Sequence, residues 1–306
     1  MPGRKWIDVD LDGLRKILER RGKEFAIYEL VQNAWDENAR SVHIKLSRPR
    51  DGKSELTVLD DSPEGFRTLA DAYTLYAESY KKSNPEKRGV FNAGEKFVLA
   101  LCEEAFIQTT SGTVFFSEEG REETRERRAT GSEFSGTLRL TIAEWEQMCN
   151  AAMRLIPPVN TSFNGQSIPN RKPVIEFETV LSTIIADGQG YLRRGNRKTR
   201  VRVFEAFSGE IPTLYEMGVP VVETGDKWHV DVQQKVPVNQ DRDNVTPGYL
   251  RSLRVAVLNA MANHLTKEDA SRTWVREAAG DGRATSDALR RVLELRFGDR
   301  RVTYDP

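Results

Sequence analysis

Residues 24–38, EFAIYELVQNAWDEN, contain the pattern that indicates the fold most strongly. Its apolar residues recur every three or four positions, which places them on one face of an amphipathic helix. Glu29, Asn33 and Asp36 stand at i, i+4 and i+7 and therefore share the opposite face. Two carboxylates and an amide supply oxygen ligands of the kind that a hydrated Mg²⁺ prefers. The same spacing is typical of a solvated helix surface, so this helix alone does not decide between the two interpretations.

Three further segments add chemistry to this helix. The apolar strand at residues 55–59 runs into DDSPEGF, residues 60–66, which puts Asp60 at the edge of the core. A carboxylate there loses hydration and needs a donor, such as the amino group of a purine. The segment GVFNAGEKF, residues 89–97, leads two glycines into an apolar helix, where backbone N–H groups and the helix dipole favour phosphate. SGTLRL, residues 135–140, begins a strand with Ser-Gly-Thr.

Taken together, the four segments resemble the motifs of the GHKL ATPase superfamily, which includes gyrase B, MutL, MORC proteins, the heat-shock chaperone ATPase and histidine kinases. Residues 29–36 match the E-x-x-x-N-x-x-D motif, and residues 58–66 look like the D-x-G-x-G motif. Residues 89–97 look like the G-x-x-G-x-G motif, and residues 135–137 look like the G-T of the closing strand. The motifs follow one another in the family's order within residues 1–156.

The sequence departs from the family pattern in the two glycine-rich motifs. Ser62 stands at the first glycine of the second motif, and one residue is inserted before Gly65. Asn92 replaces the middle glycine of the third motif. These departures concern the conformation of the two loops more than the identity of the ligand.

The resemblance implies an α+β chain that begins with a GHKL (Bergerat) two-layer sandwich of mixed sheet and helices over residues 1–156. Pro157 and Pro158 end a predicted helix and give the predicted domain boundary. Strand-like segments with a helical TLYEMG, residues 213–218, predict a smaller transducer-like α/β domain over residues 157–245. A C-terminal helical segment is predicted over residues 246–306, opened by Thr246 as N-cap and Pro247 at the first helical position.

The resemblance also implies the ligands, ATP and Mg²⁺, and a role for each matching residue. Glu29 would activate the attacking water, Asn33 would ligate Mg²⁺, and Asp36 would support the site. Asp60 would accept a hydrogen bond from the adenine amino group, and Thr137 would reach adenine or its bound water. The remaining residues would approach the base or hold the phosphates: Gly65 at the base, and Gly89, Asn92, Ala93, Gly94, Glu95 and Lys96 at the phosphates.

Residues 67–88 would form the mobile ATP lid of the family. Lys81, Lys82, Lys87 and Arg88 could move onto phosphate from this segment. A solvated basic loop is the competing interpretation for each of these side chains.

In the second half, Gln233-Gln234-Lys235 is similar to the Q-x-K of gyrase's transducer loop. The resemblance predicts Lys235 as the sensor of the γ-phosphate, with Arg242 as the competing basic residue. A lysine in this role gains Coulomb energy only when the third phosphate is present. The alternative is a solvated loop lysine.

A basic run gives the chain its one candidate surface for nucleic acid. Arg193, Arg194, Arg197, Lys198, Arg200 and Arg202 surround a predicted turn at Gly195–Asn196. Such clusters meet phosphates in nucleic-acid complexes, and they also occur at solvated hairpin tips.

Composition excludes several other classes. Lys+Arg and Asp+Glu both number 46, so no bulk field favours nucleic acid or an anionic membrane. No run of 18 apolar residues predicts a membrane span, and no leader sequence is evident. Two cysteines and three scattered histidines predict neither a disulfide framework nor a transition-metal cluster. We expect a cytoplasmic protein, in the host-cell cytoplasm if a phage encodes it.

The sequence therefore predicts a slow Mg²⁺-dependent ATPase whose nucleotide state drives dimerisation or domain rotation, acting on DNA or on a macromolecular complex. An ATP-binding regulatory or chaperone-like module without DNA is one alternative. A histidine-kinase-type phosphotransferase is another, although only 28 residues precede Glu29 in this sequence. A homodimer formed on ATP binding, a DNA partner and a protein partner subunit all stay open.

Overall fold

The computed structural model describes residues 9–63, 69–75, 84–87, 93–187, 191–239 and 244–298, and these separate into two compact units. The first unit ends at Asn170, and the second contains residues 84–86 and the chain from Arg171 onward. Within the described ranges, no helix has both the length and the apolar character needed to span a membrane.

The first unit is a mixed sheet covered by helices. Its strands lie in the order β5-β4-β3-β6-β2-β1-β7-β8, and only the pairing of β1 with β7 is parallel among those described. The helices are α1 (Leu11–Glu19), α2 (Phe25–Asp36), α3 (Gly94–Leu101) and α4 (Ile142–Met153). The strands are β1 (Ser41–Leu46), β2 (Lys53–Asp60), β3 (Cys102–Gln108), β4 (Thr113–Ser117), β5 (Gly120–Thr124), β6 (Glu133–Arg139), β7 (Asn160–Phe163) and β8 (Gln166–Ser167).

One face of this sheet is buried because apolar residues alternate along its strands. Leu56 and Val58 of β2 are buried beside Ile44 of β1, while Thr57 between them faces the other side. Helix α2 packs on β1 and β2, and α3 packs on β3 and β6. Helix α2 buries the apolar face that its sequence predicts, which confirms the helix at residues 24–38 and the two-layer arrangement.

The predicted domain boundary at residues 156 and 157 is wrong. Helix α4 ends before the two prolines as expected, but the chain then returns to the first sheet. There β7 pairs in parallel with β1, and β8 pairs with β7. Two prolines after a helix therefore did not mark a domain boundary here, because the strand that follows them pairs with β1 and supplies partners for its backbone groups.

The second unit is a smaller sheet with helices, in the strand order β12-β11-β13-β10-β9. Its strands are β9 (Ile175–Ala186), β10 (Leu192–Glu205), β11 (Thr213–Glu216), β12 (Val219–Glu223) and β13 (Trp228–Val232). Its helices are α5 (Pro247–Met261), α6 (Thr273–Ala279) and α7 (Ser286–Phe297). Strands β11 and β13 are parallel, and the other pairs are antiparallel.

The predicted separate segment at residues 246–306 is also wrong for the residues that the structure describes. Thr246 does cap α5 by accepting from the Tyr249 N–H, and Pro247 stands at its start. However, Leu253 and Leu258 of α5 lie in the same core as Val201 and Val232 of the sheet. These helices are the second layer of the second unit, because its sheet has no other apolar cover among the described elements.

Two local predictions in the second unit are wrong because strand pairing decided the conformation. TLYEMG is the strand β11 and a turn, since Met217 and Gly218 have φ of 48° and 90° and connect β11 to β12 as a tight hairpin. The predicted turn at Gly195–Asn196 lies inside β10, where both residues pair with β9. In both places strand pairing decided the conformation, and the local sequence was compatible with it.

Candidate nucleotide-binding site

Helices α2 and α3 meet at Glu29 and Gly94. A methyl group placed on Gly94 would lie 2.0 Å from Oε2 and 2.4 Å from Cδ of the Glu29 side chain. The absence of a side chain at Gly94 therefore creates the space that the Glu29 carboxylate occupies. The structure brings together two residues that are 65 positions apart in the sequence and that the motifs assigned to water activation and phosphate binding.

The start of α3 has the features of an anion site. Ala93 is its N-cap and provides no side-chain acceptor, and the first intrahelical bond runs from the Phe97 N–H to the Ala93 carbonyl at 3.0 Å. The N–H groups of residues 94–96 therefore have no hydrogen-bond acceptor within the helix. Glu95 and Lys96 are buried and form an ion pair of 3.7 Å, so their side chains lie in the interior. Only their backbone N–H groups are therefore candidates for binding a ligand.

Asn33 and Asp36 differ in exposure although both follow Glu29 on the same face of α2. Asn33 is half-buried like Glu29, and neither side chain has a hydrogen bond or ion pair with any other residue of the described ranges. Asp36 is buried, and its backbone carbonyl accepts from the ammonium of Lys87. The oxygen atoms of the Glu29 and Asn33 side chains are therefore not used by any described residue, whereas Asp36 is buried.

Asp60 and Asp61 at the end of β2 have separate environments. Asp61 accepts from the backbone N–H groups of Arg40 and Ser41 at 2.7 and 3.0 Å, and from the Ser41 hydroxyl at 2.8 Å. It thereby fixes the turn between α2 and β1. Asp60 is half-buried, and its Oδ1 accepts from the N–H groups of Ser62 and Ser132 at 2.8 and 3.3 Å. Burial raises the pKa of the Asp60 carboxyl, although the hydrogen bonds from Ser62 and Ser132 lower it in part.

Thr137 does not lie beside Asp60. It pairs with Glu55 of β2, five residues before Asp60, which is about 17 Å along the strand. Thr137 also faces the opposite side of the sheet from Asp60, because its partner Glu55 is five residues from Asp60 on β2 and side chains alternate between the two faces along a strand.

Gly131 and Ser132 occupy the place next to Asp60 instead. The Asp60 N–H donates to the Ser132 carbonyl at 3.0 Å. A methyl group on Gly131, whose φ is 75°, would fall 1.9 Å from the Asp60 carbonyl oxygen. This pair was not among the predicted site residues. Its signal in the sequence is that residues 129–137, ATGSEFSGT, contain two glycines followed by a hydroxyl residue, of which Gly131-Ser132 is the earlier.

Several predicted site residues lie outside the described ranges. These are Gly65, Gly89, Asn92, Arg242, and, from the predicted lid, Lys81, Lys82 and Arg88. The described part of the lid includes residues 84–87, of which residues 84–86 group with the second unit.

Lys235 is buried in the second unit, with 1% of its surface exposed. Its backbone N–H donates to the Pro85 carbonyl at 2.8 Å, and its carbonyl accepts from the Thr183 hydroxyl at 2.8 Å. It lies three residues after the end of β13, but it is not a solvated loop lysine. That alternative is wrong, because both backbone groups and the side chain are held inside the unit.

The basic run on β10 is largely neutralised by acidic neighbours. Lys198 and Arg200 pair with Glu178 and Glu176 of β9, and Arg202 pairs with the buried Asp231. The remaining pairs of this run are Arg193 with Asp187 and Arg197 with Glu86. Each exposed pair of this kind contributes about 0–1 kcal/mol to stability, so a phosphate can displace the acidic partner. The basic run is nevertheless paired and is not an open positive patch.

The residues of the first unit fit a Mg²⁺-nucleotide. The cleared space at Gly94 holds a carboxylate, and a half-buried amide lies one helical turn further along α2. Oxygen ligands of this type suit Mg²⁺, which keeps several waters and is completed by substrate phosphates.

Three solved structures are similar to this chain. The ATPase and transducer domains of DNA topoisomerase II from Balamuthia mandrillaris are 9% identical, with a TM-score of 0.47 over 74% of this chain and 77% of that one. The ATPase region of Saccharomyces cerevisiae topoisomerase II is 10% identical, with a TM-score of 0.48 over 88% and 84%. The N-terminal domain of a DNA repair protein is 13% identical, with a TM-score of 0.47 over 78% and 93%.

No protein-family model and no curated protein sequence matches the chain. The function proposed for this chain rests on the residues of the site itself.

Proposed function

We propose that the chain binds Mg²⁺-ATP in its first unit, hydrolyses it slowly, and uses the triphosphate state to switch its conformation or its association. The observation that carries this proposal is the apposition of Glu29 and Gly94, which puts a carboxylate at an uncapped helix start. The Asp60 carboxyl, half-buried at the end of β2, adds an acceptor suited to a base amino group.

In this proposal each residue has a defined task. The N–H groups at the start of α3 bind phosphate, where the helix dipole favours an anion. Glu29 accepts a proton from water and orients it for attack on the terminal phosphate. Asn33 ligates Mg²⁺, which when bound neutralises charge on the phosphates. Asp60 holds the adenine amino group and so sets the position of the nucleotide.

The test is an ATPase assay together with sizing of the full chain without nucleotide, with ADP and with a non-hydrolysable ATP analogue. We expect Mg²⁺-dependent turnover, and a change in size or shape with the triphosphate only. Stimulation of turnover by duplex DNA would assign DNA as the partner, and no response would favour a protein complex. Failure of the folded chain to bind any adenine nucleotide would contradict the proposal.

Lys235 is proposed as the group that distinguishes ATP from ADP. We expect Lys235→Gln to lower the preference for ATP over ADP by about tenfold, because one charge-assisted contact to the third phosphate is lost. Lys235→Arg should keep part of the preference. Equilibrium binding of ADP and of the ATP analogue measures both values.

The control for this prediction is Lys198→Gln, which removes an exposed and paired lysine of the same unit. It should leave the preference unchanged. A purely structural role of the buried Lys235 would weaken both nucleotides equally or lower only the melting temperature, and an unchanged ATP/ADP ratio in folded Lys235→Gln protein would reject the sensor role.

A further inference from the structure

A charged side chain of α1 holds the carboxyl end of α3. The Arg15 guanidinium donates from Nε to the Ala100 carbonyl at 3.0 Å and from Nη2 to the Cys102 carbonyl at 3.1 Å. Ala100 lies in the last turn of α3, where carbonyl groups have no partner within the helix. A positive charge is also favoured at this end of the helix dipole. Arg15 therefore caps α3 at the end opposite to Gly94.

The hydrogen bonds from Arg15 are directional, which the other contacts of α3 are not. Val98 and Leu101 of α3 are buried, but apolar contacts do not fix the position of a helix along its own axis. The strand that follows is irregular at its start, because the pairing of β3 with β6 shifts register between Cys102 and Glu104. The two bonds from Arg15 span this junction and define where α3 ends.

Arg15 is also a specific link between α1 and the rest of the first unit. Helix α1 packs on α3, yet of its nine residues only Leu18 is buried. The third guanidinium nitrogen, Nη1, lies 3.6 Å from the carboxylate of Asp12 on the same helix. This contact leaves Nε and Nη2 directed at the two carbonyl groups of the junction.

The position of α3 along its axis matters because its other end lies against Glu29. Helix α3 has eight residues, so it is about 12 Å long, and its internal hydrogen bonds make it move as one body. The fit at Gly94 is close, since a methyl group there would lie 2.0 Å from Oε2 of Glu29. A shift at the carboxyl end would therefore change the distance between the N–H groups of residues 94–96 and the Glu29 carboxylate.

We infer that Arg15 is a positioning residue for phosphate binding, and that it acts through α3 without touching the nucleotide. This inference rests on the proposed function and adds a residue that lies outside the four sequence motifs. It implies a separation of effects within one ligand. The N–H groups at the start of α3 bind the phosphates, whereas the proposed contact with the base comes from Asp60 on β2. Loss of Arg15 should weaken the binding of phosphate and leave the binding of the base.

The test compares Mg²⁺-ADP with adenosine, which has the same base and sugar but no phosphate. Equilibrium binding of both compounds to the full chain is measured for the wild type, Arg15→Gln and Arg15→Lys. We expect Arg15→Gln to lower the ratio of ADP affinity to adenosine affinity about tenfold, with adenosine affinity within about twofold of the wild type. Lysine keeps the charge but not the two-pronged geometry, so Arg15→Lys should lower the ratio only about threefold.

Lys16→Gln is the matched control, because it removes an exposed positive charge from the next position of α1. It should keep the wild-type ratio. The role of Arg15 is rejected, and the proposed function stands, if the wild type prefers ADP and folded Arg15→Gln keeps the same ratio or weakens both compounds equally. If Arg15→Gln does not fold, Arg15→Lys decides, and a wild-type ratio there rejects the role. If the wild type binds no adenine nucleotide, both are rejected.

Discussion

Glu29→Gln is expected to lower ATP turnover at least about 100-fold and to leave the affinity for ATP within about threefold of the wild type. Glutamine keeps the size of the side chain and its place against Gly94, but it cannot accept a proton from water. Single-turnover hydrolysis and equilibrium binding of the same preparation separate the two effects.

Glu19→Gln provides the control for this substitution, because Glu19 is exposed on α1 and lies outside the site. Its turnover should equal that of the wild type. Wild-type turnover in Glu29→Gln would remove Glu29 from the chemistry, and an equal loss of binding and turnover would make it a binding residue only.

Gly94→Ala is expected to lower turnover about 100-fold with little loss of stability. The added methyl group would overlap the Glu29 carboxylate, which can rotate away because it is the end of a flexible side chain. The backbone of Gly94 is helical, so alanine is conformationally acceptable there and favours the helix. If Glu29 acts as proposed, a displacement of its carboxylate by about 1 Å is enough for a loss of this size.

The control is Gly248→Ala, which adds a methyl group near the start of α5 where no atom lies within 4 Å. Turnover and melting temperature are compared for the two variants. If Gly94→Ala lowers the melting temperature by many degrees, the glycine is needed for packing of α2 on α3. If it hydrolyses ATP at the wild-type rate, the Glu29 carboxylate does not need its present position.

Features of this chain with a local cause could be predicted from the sequence. The apolar periodicity of residues 24–38 predicted α2 and its buried face, and the Thr246-Pro247 pair predicted the start of α5. The register between strands could not be predicted in this way. It decided that Ser132, and not Thr137, lies next to Asp60, because strand pairing is set by contacts between residues far apart in the chain.

The order of the four motifs and the helix face shared by Glu29 and Asn33 could be predicted before folding is considered, since both depend on spacing along the chain, and the resemblance of the motifs implied the α+β class. Three features became visible only in the folded chain: Gly94 makes room for Glu29, Lys235 is buried, and residues 160–167 complete the first sheet. These outcomes depend on which surfaces exclude water together and on which backbone groups find partners. Burial and backbone pairing both involve segments far apart in the sequence, so a local sequence pattern does not predict them.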